Sequence, residues 1–385
     1  MENFVYCCPT RIVFGKGTIP QLRDLVPSDQ HVLITYGGGS IKKNGVYDQV
    51  REAFSDHKVS EFGGIEPNPV YETLMKAVEV VKSEGVGFLL AVGGGSTLDG
   101  TKFIAAAARY EAGDPWDILS AGGKIESAVP MGTVLTLPAT GSEMNAVAVI
   151  SRESSQEKLA FVSEAVAPKF SILDPETTYS LPENQVRNGV VDAFVHVTEQ
   201  YLTYPARGTL QDRQAEGILL SLIEEGPRTL KDMKDYDARA NFMWCATQAL
   251  NGLIGCGVPG DFATHMIGHE LTAFFGLAHA ESLAVVLPSL LRHEKDGKRD
   301  KLIQFAKRVW GVTDGSEDEI IEAGVRKTEE FFRSLGMPTR LSEFDVSPDE
   351  AADRVKERFT ARGTKLGEKQ AIGPEEAAEI LRASG

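Results

Sequence analysis

Four of the seven histidines lie between residues 196 and 279, and an aspartate stands beside the first of them. Asp192 and His196 are four residues apart within Val190-Val191-Asp192-Ala193-Phe194-Val195-His196-Val197, a spacing that puts both polar groups on one helical face amid apolar neighbours. His265 and His269 repeat the spacing, and His279 follows the apolar run Phe274-Phe275-Gly276-Leu277-Ala278. Burying a carboxylate and several imidazoles without partners is expensive, so these groups must hydrogen bond, pair with charge or hold a cation. Each histidine taken alone reads as a hydrogen-bonded core residue, and Asp192 with His196 alone reads as a helix-surface pair. Together they offer one carboxylate and three imidazoles, a set suited to Zn²⁺ or Fe²⁺ with a coordination position left for a substrate oxygen. Spacing does not say which three imidazoles take part.

A second chemistry is written in glycine. Gly37-Gly38-Gly39-Ser40 and Gly93-Gly94-Gly95-Ser96 each follow an apolar strand candidate and precede a helix candidate. An isolated run of this kind reads as a flexible linker. Flanked as they are, the runs permit a tight turn and a close backbone approach to phosphate oxygens at a helix N-terminus. They are not the G-x-G-x-x-G fingerprint, so the residues themselves imply only a phosphate-bearing ligand. If an adenosine ribose lies over the first turn, a 2′-phosphate there meets backbone N–H groups, the Ser40 hydroxyl and the charges of Lys42 and Lys43. That favours NADP(H) over NAD(H); the alternative is that both lysines are solvated helix-start residues.

The elements that must position these groups follow from the apolar pattern. His31–Tyr36, a helical run from Gly45 to Phe54, Phe88–Val92 and a helical run from Leu98 to Tyr110 alternate as βαβ. Phe4–Tyr6 and Arg11–Phe14 are expected as short strands around Pro9, forming a terminal ribbon or edge strand. Beyond Pro182 the periods are helical almost throughout. The reading is therefore an α/β dinucleotide-binding domain over residues 1–178 and an all-α metal-binding domain over 179–385, consistent with a length that single cores seldom reach. The net charge of −15 excludes a basic face for nucleic acid or anionic lipid, and no apolar run is long enough for a membrane span. Cys7 and Cys8 are adjacent while Cys245 and Cys256 stand apart, which is neither a disulfide framework nor a zinc knuckle. The start MENFVYCCPT lacks basic and apolar leader regions, so a reduced cytoplasm is expected.

Several motifs carry a family resemblance over nearly the whole chain. Pro9-Thr10-Arg11-Ile12-Val13-Phe14-Gly15-Lys16-Gly17, Ile34-Thr35-Tyr36-Gly37-Gly38-Gly39-Ser40, Gly93-Gly94-Gly95-Ser96-Thr97-Leu98-Asp99, the loop Thr136 to Glu143 and Gly64-Ile65-Glu66-Pro67-Asn68-Pro69 resemble the iron-containing (group III) alcohol dehydrogenases. Within that family the chain is most similar to NADPH-dependent aldehyde reductases. The resemblance implies a Rossmann-like first domain, one divalent ion held by Asp192, His196, His265 and His279, and His269 beside the metal without binding it. It further implies pyrophosphate contacts at Gly94, Gly95 and Ser96, and an adenosine 2′-phosphate site in the Gly37–Gly39 turn at Gly38 and Ser40. Ribose or nicotinamide contacts fall to Asn68, Asp99, Thr136, Thr140, Asn145 and Lys158. A homodimer is also implied, and Phe4 to Phe14 could pair edge to edge with a second copy. Two departures from the family are visible: the acidic residue that NAD-using members place after the first strand is missing, which strengthens NADP, and Ala280 follows His279 where many members have glycine.

A nicotinamide joined to a mononuclear metal implies hydride transfer, with the metal as Lewis acid on the carbonyl oxygen. The expected substrates are small, mostly apolar aldehydes or primary alcohols, because Phe194, Phe242, Trp244, Phe262, Met266, Phe274 and Phe275 lie near the ligands in sequence and few Lys or Arg do. His269 is the expected proton donor or relay, or else a group that orients the ligands, and Asp99 is a further catalytic candidate. The competing readings are a glycerol-phosphate dehydrogenase or a dehydroquinate-synthase-like enzyme of the same architecture, and a non-catalytic nucleotide- or metal-binding protein.

Overall fold

The computed structural model describes all 385 residues. They pack as two compact units, one of Cys7–Pro182 with Met233–Thr247 and one of Met1–Tyr6, Glu183–Asp232 and Gln248–Gly385. The first unit runs β1 (Arg11–Phe14), α1 (Leu22–Leu25), β2 (His31–Tyr36), α2 (Val46–Ala53), β3 (Lys58–Phe62), α3 (Tyr71–Glu84), β4 (Phe88–Gly94), α4 (Gly95–Ala107), α5 (Asp117–Ser120), β5 (Met131–Leu137), β6 (Val147–Arg152), β7 (Glu157–Val162) and β8 (Phe170–Leu173). Six strands form a parallel sheet in the order β1-β8-β5-β4-β2-β3, while β6 and β7 form an antiparallel hairpin of their own.

The sheet is apolar on both faces, which is why β2 and β4 read as unbroken hydrophobic runs. Leu33, Leu89 and Ala91 pack to one side with Leu74, Val78, Leu98, Phe103 and Ile104. Val32, Ile34, Leu90 and Val92 pack to the other with Val46, Val50 and Phe54. Two differences from the expected strands are instructive. Phe4–Tyr6 form no strand: Pro9 has no N–H to give a ladder, and Met1–Tyr6 belong to the helical unit, where Glu2 N donates to Gly257 O at 2.9 Å. β1 alone supplies the edge, paired with β8 in register Arg11↔Phe170 to Phe14↔Leu173. The two glycine runs also differ from one another. Gly93 and Gly94 end β4 and Gly95 begins α4 directly, whereas Gly37–Gly39 pass into a single 3₁₀ turn, Ser40–Lys42, and α2 begins only at Val46.

Past Pro182 the chain is helical: α6 (Glu183–Tyr201), α7 (Thr209–Lys231), α8 (Tyr236–Ala249), α9 (Ala263–Phe275), α10 (His279–His293), α11 (Arg299–Arg308), α12 (Glu317–Ser334), α13 (Pro348–Arg362) and α14 (Pro374–Arg382). Most of α8 packs into the sheet unit, although it lies beyond residue 178 in sequence. In the helical unit α6 is buried along almost its whole C-terminal two-thirds. Phe194 packs against Phe305, Trp310, Phe331 and Phe332, with ring centroids 5.4–6.5 Å away. Two residues along a helix is roughly 200° of rotation, so this aromatic cluster holds the face of α6 opposite Asp192. Glu270 of α9 is buried and takes Arg358 Nη1 at 2.6 Å and Arg362 Nη1 at 2.9 Å from α13, bracing the helix that carries His265.

Candidate metal centre and dinucleotide turn

Three helices converge on the polar cluster. Asp192 and His196 come from one face of α6, His265 from the first turn of α9 and His279 from the first residue of α10. Their potential ligand atoms all lie within 4.8 Å of one another, and Asp192, His196 and His265 are buried. Asp192 Oδ1 is 3.6 Å from His196 Nε2, 3.8 Å from His265 Nε2 and 3.6 Å from His279 Nε2. The rings of His196 and His265 stack at 4.5 Å. His269 sits beside the set, its ring centroid 5.5 Å from that of His279 and 6.4 Å from that of His265.

Glu199 is the residue that sequence reasoning missed. It lies seven residues after Asp192 and three after His196, so the stripe on α6 is Asp-His-Glu at helical spacing, and the pattern was there to be extended. Its carboxylate does two things. Oε1 accepts from the backbone of Thr264 at 2.6 Å and of His265 at 3.3 Å, satisfying N–H groups that the first turn of α9 cannot pair internally. Oε2 takes the Nδ1–H of His265 in a short hydrogen bond. That bond holds a proton on Nδ1 and turns Nε2 into the cluster, where a bound cation would take the place of any second proton. His265 Nε2 is buried with no hydrogen-bond donor on it, which is what an imidazole ligand requires.

The electrostatics agree with a cation site. Burial pulls the His196 pKa down to about 4 against the attraction of Asp192, so its ring is neutral and free to donate a lone pair. Burial also disfavours a charged His265, but the Glu199 and Asp192 carboxylates outweigh it and hold that pKa up at about 9. Two buried carboxylates thus face three imidazoles, and a divalent cation balances them better than a single imidazolium does. The donor set fits a divalent metal. Phe262, whose ring centroid is 6.0 Å from that of His265, is the one expected aromatic that packs on the cluster in this way. Phe194 faces the helical core, Phe274 lies beneath Arg354 and Arg358, Met266 is 37% exposed, and Phe242 and Trp244 belong to the sheet unit, where Trp244 meets Phe14 edge-on at 5.9 Å. For Phe194 and Phe274 the lining read from closeness in sequence is therefore corrected, because helical rotation turns them toward other partners.

In the sheet unit, β4 runs into α4 with no intervening loop, and the packing there admits only glycine. A Cβ on Gly93 would lie 2.5 Å from Thr97 Oγ1, one on Gly94 2.8 Å from Leu137 Cβ and one on Gly95 2.5 Å from Thr140 Cγ2. α4 is buried on every side except at Ser96, so its accessible feature is its N-terminus, which has no side-chain cap and is the kind of helix end that attracts anions. Around it the structure gathers residues far apart in sequence. Asn68, at φ +57°, donates its N–H to Ser96 Oγ at 3.3 Å and receives Lys158 Nζ on Oδ1 at 2.9 Å. Asn145 Nδ2 donates to Thr140 O at 3.3 Å. Thr136 is the penultimate residue of β5 and is buried. Asp99 is buried with both oxygens engaged, by Ser142 Oγ at 2.6 Å and by the N–H of Val149 at 3.0 Å. Lys102, also buried, donates to Asn145 Oδ1 at 2.9 Å and Val147 O at 2.8 Å.

The first glycine turn is more open. A Cβ on Gly38 meets nothing within 4 Å, and Gly39 is left-handed at φ +84°. Lys42, expected to bring positive charge there, donates to Glu61 Oε2 at 2.9 Å.

Two family models cover most of the chain: iron-containing alcohol dehydrogenase over residues 9–175 and the C-terminal region of the Fe-containing alcohol dehydrogenase family over 187–384. The chain is 58% identical over its full length, and that of the relative, to the NADPH-dependent aldehyde reductase YqhD of Escherichia coli K12. The crystal structure of E. coli YqhD superposes with a TM-score of 0.98 over 100% of this chain and 99% of that one. An NADH-dependent butanol dehydrogenase A from Thermotoga maritima superposes with a TM-score of 0.94 at 37% identity, covering 100% of this chain and 99% of that one. The fold, the converging acid and imidazoles and these likenesses agree: the chain belongs to the iron-containing alcohol dehydrogenase family.

Proposed function

We propose that this protein is an NADPH-dependent, metal-dependent aldehyde reductase that interconverts small aldehydes and primary alcohols. The sheet unit binds the dinucleotide and the helical unit holds the ion. The observation that carries the reading is the convergence of Asp192, His196, His265 and His279 from three helices, with Glu199 holding the Nδ1 proton of His265. When bound, a divalent ion at these four residues polarises a carbonyl oxygen and NADPH supplies hydride to the carbon. Fe²⁺ and Zn²⁺ both suit the donors, and the family description names iron.

The chain's own side chains do the rest. Glu199 holds the His265 ring in position, and the Phe194 cluster holds the far face of α6, so the ligands are set before any ion arrives. His269, beside His279, holds the proton that the product oxygen requires. Gly94, Gly95 and Ser96 receive the pyrophosphate at the start of α4, and Gly38 and Ser40 receive the adenosine 2′-phosphate. Asn68 and Lys158 line the ribose side, while Asp99 and Lys102 act by holding the Thr140–Asn145 loop and the β6–β7 hairpin in place. Thr136, Thr140 and Asn145 complete the nicotinamide side. The sheet edge at β1, with Phe14 and Trp244 each about 40% exposed, is the surface through which two copies form a homodimer.

The experiment is NADPH oxidation with butanal, before chelation, after chelation and after Zn²⁺ or Fe²⁺ is returned. Aldehyde-dependent oxidation that chelation removes and metal restores is the expected result. NADPH binding without aldehyde-dependent oxidation would instead favour a nucleotide-binding protein.

A further inference from the structure

The first glycine turn stands next to a carboxylate that nothing in the reading above uses. β3 runs parallel beside β2 in register Ile34↔Glu61 and Thr35↔Phe62. The chain leaving β3 is bonded to the turn itself, Gly64 N to Gly37 O at 2.9 Å and Ile65 N to Tyr36 O at 3.2 Å. Glu61 therefore sits at the carboxyl end of the strand neighbouring the turn, the part of a parallel sheet where ligands bind and where a carboxylate selects NAD by repelling a 2′-phosphate. By its position this acid opposes NADPH.

Three donors converge on it. Lys42 Nζ lies 2.9 Å from Glu61 Oε2, Tyr36 OH donates to the same oxygen at 3.3 Å, and Tyr47 OH donates to Oε1. The ammonium is held between the two phenol rings, 4.8 Å from the Tyr36 centroid and 4.7 Å from that of Tyr47. Lys42 closes the 3₁₀ turn that Ser40 opens, so the same ion pair ties that turn to β3. An exposed ion pair adds little stability, so its effect lies in the charge it cancels.

We propose that Lys42 determines cofactor preference by neutralising Glu61, so that the adenosine end of the site carries no net charge against a 2′-phosphate. This rests on the reading that the adenosine ribose lies over Gly37–Ser40. In Lys42→Gln the carboxylate is unmasked, while in Lys42→Gln/Glu61→Gln the charge is removed together with its mask.

The test is direct titration of NADPH and NADH followed by cofactor fluorescence, together with steady-state reduction of butanal by the metal-loaded full chain, in both variants and in Gly38→Asp; each shift in KM is expected in the dissociation constant as well. Lys42→Gln raises KM for NADPH about three- to tenfold without a matching loss of kcat, the scale expected of a screened carboxylate–phosphate repulsion. The penalty fades between ionic strengths of about 0.01 M and about 1 M, as the Debye length falls from about 30 to about 3 Å. The double variant recovers KM to within about twofold of the parent, below the tenfold that 1.4 kcal/mol represents. If it stays as weak as Lys42→Gln, the lysine acts on the phosphate directly and the inference is overturned. A fall in kcat with KM intact overturns it too, since that marks a structural role. Gly38→Asp separates the two ideas. If it moves preference toward NADH while Lys42→Gln does not, only the masking fails; if it leaves preference unaltered, the ribose placement itself is wrong.

Discussion

Glu199 shows how much of the centre depends on a side chain that touches no substrate. It satisfies the first turn of α9, which has no side-chain cap from its own Phe262, and it orients His265 through Nδ1. Glu199→Gln keeps the size and one acceptor but loses the charge that holds the Nδ1 proton. It is expected to weaken metal affinity about 10- to 100-fold, read by competition with a chromogenic chelator, with secondary structure retained. An unchanged affinity would make Glu199 a helix cap only. The ligand spacing was legible in the sequence because i, i+4 pairs of polar residues in apolar frames announce themselves. Glu199 was not, since a glutamate near a helix C-terminus is ordinary until its partner helix is seen. The partner of Lys42 was not legible for a similar reason: Glu61, nineteen residues on, meets it only because β3 lies beside β2.

The elements show where periodicity suffices and where it does not. β2 coincides with the expected strand, and the α2 and α4 runs were placed within a few residues, because apolar runs and helical stripes are local signals. The hairpin β6–β7 and the order of the strands within the sheet were not legible, since pairing partners lie far apart in sequence. Nor was the direction each aromatic faces, as Phe194 illustrates. The hairpin is bonded to α4 through Val149 to Asp99 and Lys102 to Val147, in a buried cluster that also contains Glu143, whose carboxylate takes the Thr247 hydroxyl at 2.5 Å. Burial, only partly offset by Asp99 and Glu143, lowers the Lys102 pKa to about 8. An unfolded lysine near 10.5 binds the proton that the folded one has released, so between about pH 8 and 10.5 this group makes stability rise with pH. Denaturant melts over that window should show the parent gaining up to about 3 kcal/mol relative to Lys102→Met. Parallel pH profiles for the two proteins would mean that Lys102 is charged throughout.

At the scale of the whole molecule, an edge strand bordered by Phe14 and Trp244 is a surface that a monomer would leave open to unwanted pairing. Light scattering on the parent is expected to give twice the chain mass. Phe14→Glu with Trp244→Glu is expected to shift the equilibrium toward monomer while each helical unit keeps its metal cluster, because no ligand comes from the sheet unit. A parent that runs as a monomer removes this interface from the account.

The measurement that bears most directly on the centre is elemental analysis of the purified protein and of Asp192→Asn, paired with butanal reduction and NADPH binding on the same samples. The account predicts about one Fe or Zn per parent chain and little in the variant. It also predicts turnover lowered by about 10²- to 10⁴-fold, the scale of losing several kcal/mol of charge stabilisation, with NADPH still bound. Full turnover in protein that carries no transition metal would contradict it.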